Sequence, residues 1–219
     1  MSTTRLVVIG GGGHAKVVLD MLCLTAGVEI VGVVDPALEG GKILGFSGLG
    51  GDEILPGLFA QGVTQAFVAI GDNRLRQTIS QRAGQIGFAL PTIRHPSAVV
   101  SPSAVIGDGV AVMAGALIGP EAAIGDFAIV NTGAIVEHDV QLGVAAHIAP
   151  GCTLAGAVRV GDRSLIGVGS AVRPKVVIGD DVVVGAGSVV VSDIPSGARV
   201  AGVPARPLGR KGGVDDVAA

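Results

Sequence analysis

Residues 112–136 read VMAGALIGPEAAIGDFAIVNTGAIV, and the spacing inside that run decides the fold. Val112, Ile118, Ile124, Val130 and Val136 stand six apart. The series extends without insertion from Val100 to Val190, and every member is Val, Ile or Leu. Four residues after each comes a smaller one, from Ala104 and Val110 through Ser188, always Ala, Val, Cys or Ser. Gly often follows the large aliphatic residue, as at Gly107, Gly119, Gly125, Gly143 and Gly161. A period of six is neither helical nor a simple strand alternation. It suits short parallel strands that turn a corner every six residues, each sending one large aliphatic side chain inward. Three such segments close a triangular coil of about eighteen residues, and coils stack at roughly 4.8 Å, the spacing of hydrogen-bonded strands. Val100–Val190 then makes about five coils, or roughly 24 Å of prism.

Composition agrees with a narrow interior. Hydrophobic residues make up 49% of the 219, yet the aromatics are five Phe with no Trp or Tyr, and Gly numbers 37. Aromatic rings supply much of an ordinary core, and a coil this tight has no room for them. The net charge of −3, with no basic run before the extreme C-terminus, argues against nucleic-acid binding. Cys23 and Cys152 lack metal-like spacing and read as small buried hydrophobes in a reducing compartment. The apolar start breaks at four glycines, so no signal peptide or membrane span is expected, and the protein is expected to be cytoplasmic.

The first third is a different unit. Residues 5–9 read as a buried strand, Gly10–Gly13 as a tight loop, His14–Leu24 as a helix and 28–35 as the next strand, ending on Asp35. A strand near Gln65–Ile70, a helix from about Asn73 to Gly87 and a strand near Ala89–Arg94 complete a small α/β, Rossmann-like βαβ domain over 1–95. The β-helix follows over 96–195 and a tail over 196–219. Glycines at a strand-to-helix turn let a nucleotide approach backbone N–H groups and the positive helix end. GGGGHAKV is not a dinucleotide fingerprint, which disfavours a NAD site, and a tight turn without ligand is the other reading.

The repeat resembles that of the hexapeptide-repeat acyltransferases. That resemblance implies a left-handed coil, against the usual right-handed crossover, a homotrimer, and active sites in clefts between neighbouring prisms. GGGGHAKVV, VVDP and AIGDNRLR together with the repeats resemble the bacterial acetyltransferases of nucleotide-linked amino sugars and the related sialic acid O-acetyltransferases, from about Arg5 to Lys211. By that resemblance, acetyl-CoA is the acetyl donor and the N-terminal domain holds the nucleotide of the sugar, with Gly11, Gly12, Gly13, His14 and Asp35 near it.

The chain has four His. His14 is a nucleotide contact or a helix-start hydrogen bond, and His95, before Pro96, is structural. His138 lies two places after an inward residue, between Glu137 and Asp139. A His near neutral pKa can accept a proton from an attacking amine or hydroxyl, and an adjacent carboxylate can orient it; a solvated turn is the bland reading. The family's catalytic pair becomes His138 as base and Asp139 as its orienter, where many relatives carry Glu. Glu137, Asn131 and Thr132 match the family's sugar contacts. His147 matches a residue near the acetyl group or thiol, with interface packing as the alternative. Gly156 matches the glycine whose N–H faces the thioester carbonyl, a donor that can be worth ~3 kcal/mol in the transition state. Val168, Ala186, Pro204 and Arg206 match positions along the cofactor, with Arg210 and Lys211 as further cations. The expectation is direct N-acetylation of a 4-amino-4,6-dideoxy sugar. The alternatives are O-acetylation of sialic acid or another sugar, a γ-carbonic-anhydrase-like metal enzyme, for which no third His is evident in the coils, and a non-catalytic scaffold. No metal is expected.

Overall fold

A computed structural model describes residues 3–208. The first unit is a three-stranded parallel sheet in the order β2-β1-β5, built from β1 (Thr4–Ile9), β2 (Val28–Val34) and β5 (Gln65–Val68). Between the last two strands lie a small hairpin, β3 (Lys42–Ile43) and β4 (Phe46–Ser47), and α2 (Leu55–Ala60). Helix α1 (Gly13–Cys23) follows the glycine loop and α3 (Asn73–Ile86) follows β5. Asp72 starts α3 by accepting from Leu75 N–H at 2.7 Å, and Gly87 ends it in the left-handed conformation, the usual chemistry of both ends.

The second unit is a parallel β-helix of two-residue rungs on three faces, in the left-handed sense of its structural relatives. The first face stacks Ile93–Arg94, Ala111–Val112, Ile129–Val130, His147–Ile148, Leu165–Ile166 and Val183–Val184, then Arg199–Ala201. The second face runs from Val99–Val100 to Val189–Val190 and the third from Val105–Ile106 to Val177–Ile178. The six-residue series points inward as expected: Val112, Ile118, Val130, Val136, Ile148, Leu154 and Ile166 are all fully buried, and so are the smaller partners from Val110 onward.

Each corner is made the same way. One residue in six from Gly109 to Gly187 has positive φ, and its N–H donates one turn down, to Ser97 Oγ and Ser103 Oγ at Gly115 and Glu121 and to a carbonyl at the others, as Asp139 N does to Pro120 O at 3.0 Å and Ala145 N to Asp126 O at 2.8 Å. A side chain in that conformation costs about 1 kcal/mol or more, yet the chain accepts it at Glu121, Phe127, Asp139, Ala157 and Arg163 among others. The rung-to-rung bond offsets it.

Two expectations are corrected. Ile93–Arg94 pairs with Ala111–Val112 and is the first rung of the coil, while Ala89 makes only a single bridge to Gln65. Val100–Val190 makes its five coils, and with that rung below and Arg199–Ala201 above, the coil extends beyond the expected stretch to about six turns. Cys23 is exposed at the end of α1, whereas Cys152 is buried as expected.

The two units share a core. Leu6, Val8, Val18, Leu19 and Leu22 pack with Ala111, Met113 and Ile129 on the outside of the first face. The rungs immediately above that contact begin with His147.

Candidate active site

His138 stands at the corner between the second and third faces. Its Nδ1 lies 2.7 Å from Asp139 Oδ2, so the carboxylate accepts the Nδ1 proton and Nε2 carries the free lone pair. The left-handed backbone at Asp139 (φ 60°) turns that carboxylate back onto its neighbour. Asp139's hydrogen bond raises the His138 pKa above the ordinary imidazole value, and the charges of Asp139 and Glu137 add to it. Both side chains are more than half exposed (58% and 53%).

Gly156 is eighteen residues on, directly over His138 in the stack. A Cβ there would come within 2.5 Å of His138 Cε1 and Nε2, so only glycine leaves the imidazole its place. Gly156 O accepts from Lys175 N at 3.0 Å, while its own N–H is bonded to no group among the described residues. The structure thus brings His138, Asp139 and Gly156 together, with Glu137 beside them.

A second cluster lies on the outside of the first face. Thr132 N–H donates to Asn131 Oδ1 at 2.8 Å, which turns Asn131 Nδ2 toward His147 Nε2, 3.0 Å away. His147 Nε2 must then accept, and Nδ1 holds the proton as a free donor. Burial, with the charge of Arg76 next and then His14, pushes the His147 pKa down to about 3. His14 is likewise pushed down to about 4 by burial and by Arg76, and its Nε2 is buried with no hydrogen-bond partner. Both rings are neutral at physiological pH.

The glycine loop leads into α1 through His14, whose ring acts on His147. Asp35 is committed to holding the loop: Oδ2 accepts from Gly11 N at 2.7 Å and Oδ1 from Ala37 N at 2.9 Å. Gly12 is the N-cap of α1 with no side-chain cap, and Gly13 opens the helix. The loop therefore presents N–H groups at a helix start, an arrangement that favours anions.

Val168 and Ala186 are exposed on the corner between the first and second faces, one and two rungs above Pro150. Past them the chain folds back, with Arg206–Pro207 antiparallel to Arg199–Ala201 and Ala205 N donating to Val189 O at 2.8 Å. Pro204 and Arg206 thereby cap the same edge; Arg210 and Lys211 lie outside the described residues. This corner carries glycine at every left-handed position: 115, 133, 151, 169 and 187. The other two corners accept charged and bulky residues there. A Cβ at Gly133, Gly151, Gly169 or Gly187 would meet nothing within 4 Å, so their positive φ favours glycine but no crowding within this chain does.

Within one chain the residues form two groups that do not meet. His138, Asp139 and Gly156 occupy one corner; His147, Asn131, Val168 and Ala186 lie on the first face and its far corner, across the width of the second face, with His14 of α1 beside His147. His95 is structural, its Nδ1 accepting from Ser97 N at 3.0 Å. Sequence reasoning did not single out Arg76. It is 1% exposed on α3 and donates to four backbone carbonyls; its signal was the quoted motif AIGDNRLR. Among the described residues no group of three His, Cys, Asp or Glu could hold a metal, and no helix is long and apolar enough to cross a membrane.

This combination, a small α/β unit on a left-handed β-helix with a His–carboxylate pair at a corner, defines a hexapeptide-repeat transferase. Residues 5–83 match the PglD N-terminal domain and residues 157–192 the bacterial transferase hexapeptide (six repeats). A variant of perosamine N-acetyltransferase from Caulobacter crescentus, solved with CoA and GDP-perosamine, is 50% identical over 94% of this chain and 97% of its own, with a TM-score of 0.91. The acetyltransferase domain of PglB from Neisseria gonorrhoeae, solved with acetyl coenzyme A, is 41% identical over 94% of this chain and all of its own, with a TM-score of 0.90. UDP-N-acetylbacillosamine N-acetyltransferase of Bacillus subtilis is 38% identical over 122 residues, and the match spans about half (51%) of that protein's length. The chain belongs to the family of perosamine N-acetyltransferase.

Proposed function

We propose that the chain is an acetyl-CoA-dependent N-acetyltransferase for the amino group of a nucleotide-linked amino sugar of the 4-amino-4,6-dideoxy type, acting as a cytoplasmic homotrimer. The observation that carries the reading is the His138 Nδ1–Asp139 contact of 2.7 Å, which aims a basic Nε2 over a glycine with an unused N–H. The relatives' ligands, CoA and GDP-perosamine, supply the substrate classes.

In this reading His138 Nε2 takes a proton from the sugar amine as its nitrogen attacks the thioester carbonyl. Asp139 keeps the proton on Nδ1 and balances the imidazolium. Gly156 N–H donates to the carbonyl oxygen as charge develops on it. The C–S bond then breaks, the thiolate recovers the proton, and no acyl-enzyme forms. The glycine loop takes the nucleotide diphosphate, while Asn131, Thr132 and Glu137 orient the sugar. His147 Nδ1–H, with Val168, Ala186, Pro204 and Arg206, borders the pantetheine and acetyl portion of acetyl-CoA.

The separation of the two groups supports a site closed by two copies. One chain brings the dyad and its neighbour the first face, which also gives the glycine corner an occupant at van der Waals distance. Purified protein given acetyl-CoA and a panel of GDP-, UDP- and dTDP-linked 4-amino sugars should acetylate one class with release of free thiol. Turnover of sialic acid and of no amino sugar would replace the reading with O-acetylation.

A further inference from the structure

Among the described residues, Arg76 is buried with no carboxylate in ion-pair contact. Its Nη1 donates to Ile70 O and Gly71 O at 3.0 and 3.1 Å, its Nε to Phe127 O at 2.7 Å, and its Nη2 to Ala145 O and Asn73 Oδ1, each at 2.8 Å. These partners fall into two sets. Ile70 and Gly71 form the turn after β5, against which Gly10 of the glycine loop is packed: a Cβ on Gly10 would lie 2.8 Å from Ile70 and 3.0 Å from Ala69 O. Phe127 and Ala145 are left-handed corner residues on successive rungs, and Ala145 is two residues before His147.

A buried cation satisfied only by neutral acceptors is costly, and its pKa is pushed down to about 10 by burial, with Asp72 opposing. A hydrophobic residue could fill the same volume. What it could not do is grip backbone carbonyls of two units in one rigid fork, which is the property that separates Arg from other residues.

Building on the proposed function, we infer that Arg76 is a positioning residue that fixes the distance and angle between the nucleotide-binding glycine loop and the rung bearing His147. Corner carbonyls are regularly spaced, and a docking helix without the fork would keep on them only the single bond from Asn73 Nδ2 to Arg163 O (2.8 Å), too little to fix one register. Arg76 selects the register, and with it the span between the loop and the reacting end of the sugar.

The test compares the full-length R76K and R76M proteins with R74A, which removes a rim contact to Asp181 (2.8 Å) but leaves the fork intact. With the nucleotide sugar that the wild type turns over, R76K and R76M should raise its KM tenfold or more with folded protein, while R74A stays within twofold. Selective histidine labelling adds a readout that needs no substrate. Burial is the largest cause of the lowered His147 pKa and the charges of Arg76 and His14 add to it, with Asp72 acting on Arg76, so R76M, which removes the Arg76 charge, should move the His147 titration upward. KM within twofold in folded R76K and R76M, or an unmoved titration, would overturn the inference. Failure of both variants to fold would also overturn it and leave Arg76 a structural weld. A wild type inactive on every amino sugar would sink the proposed function, and the titration would still judge Arg76.

Discussion

Replacing His147 with Gln should make the protein more resistant to acid, because the folded state keeps this imidazole from protonating. The folded pKa is about 3, against roughly 6.5 for a free imidazole in the unfolded chain. Below pH 6.5 the unfolded state takes up a proton that the folded state refuses, so stability falls as pH drops from about 6.5 toward 3. Between pH 7.5 and 5.0 the two pKa values give a loss of about 2 kcal/mol from this residue alone. Gln cannot titrate, and its amide oxygen can still accept from Asn131 Nδ2, so the H147Q protein escapes the loss. Urea denaturation of both proteins at the two pH values isolates the effect, since His14 and the exposed histidines are common to both. H147Q is expected to gain about 2 kcal/mol on the wild type between pH 7.5 and 5.0, or roughly 4–8 °C in midpoint for a chain of this size. Parallel stability curves would refute the reasoning, since His147 would then titrate normally in the fold.

Asp139→Asn should lower the His138 pKa and so move the acid limb of kcat/KM to lower pH, with kcat reduced, because His138 must be neutral to act and Asp139 raises its pKa. A pH–rate profile with an unmoved limb would count against the pair. Gly156→Ala should cut kcat about a hundredfold by driving the His138 ring from its place, with little change in thermal midpoint because that ring is exposed; steady-state kinetics beside a melt separates the two. Gly151→Ala should cost about 1 kcal/mol of stability yet disrupt trimer assembly or weaken CoA binding at least tenfold, measured by light scattering and calorimetry.

The prism was legible because each side chain in it answers to one local requirement repeated every six residues. The rung at Ile93 was not, and Arg94 shows why. It occupies the inward position paired with Val112, but at the open end of the coil that position faces water, and it reaches Ala98 O at 2.8 Å instead. The aliphatic signal stops where the interior stops. His138 and Asp139 were legible because neighbours in sequence stay neighbours at a corner. The Asn131–His147 bond joins two adjacent rungs, and the separation of their face from the dyad followed only once the faces were laid out. Arg76 was hidden for another reason. Four of its five partners are backbone carbonyls, which every residue has, so only Asn73, inside the motif AIGDNRLR, marks it in the sequence.

The bond from each left-handed corner to an acceptor one turn below gives the chain a unit of length. An insertion of one or two residues between His138 and Gly156 would throw the glycine, and every corner after it, out of line with the imidazole. A duplication of eighteen residues above Leu165, by contrast, would preserve every hydrogen-bonding partner below it and lift the closing hairpin by about 4.8 Å. Such a molecule could change the length of acyl carrier it spans without disturbing the place where the proton moves.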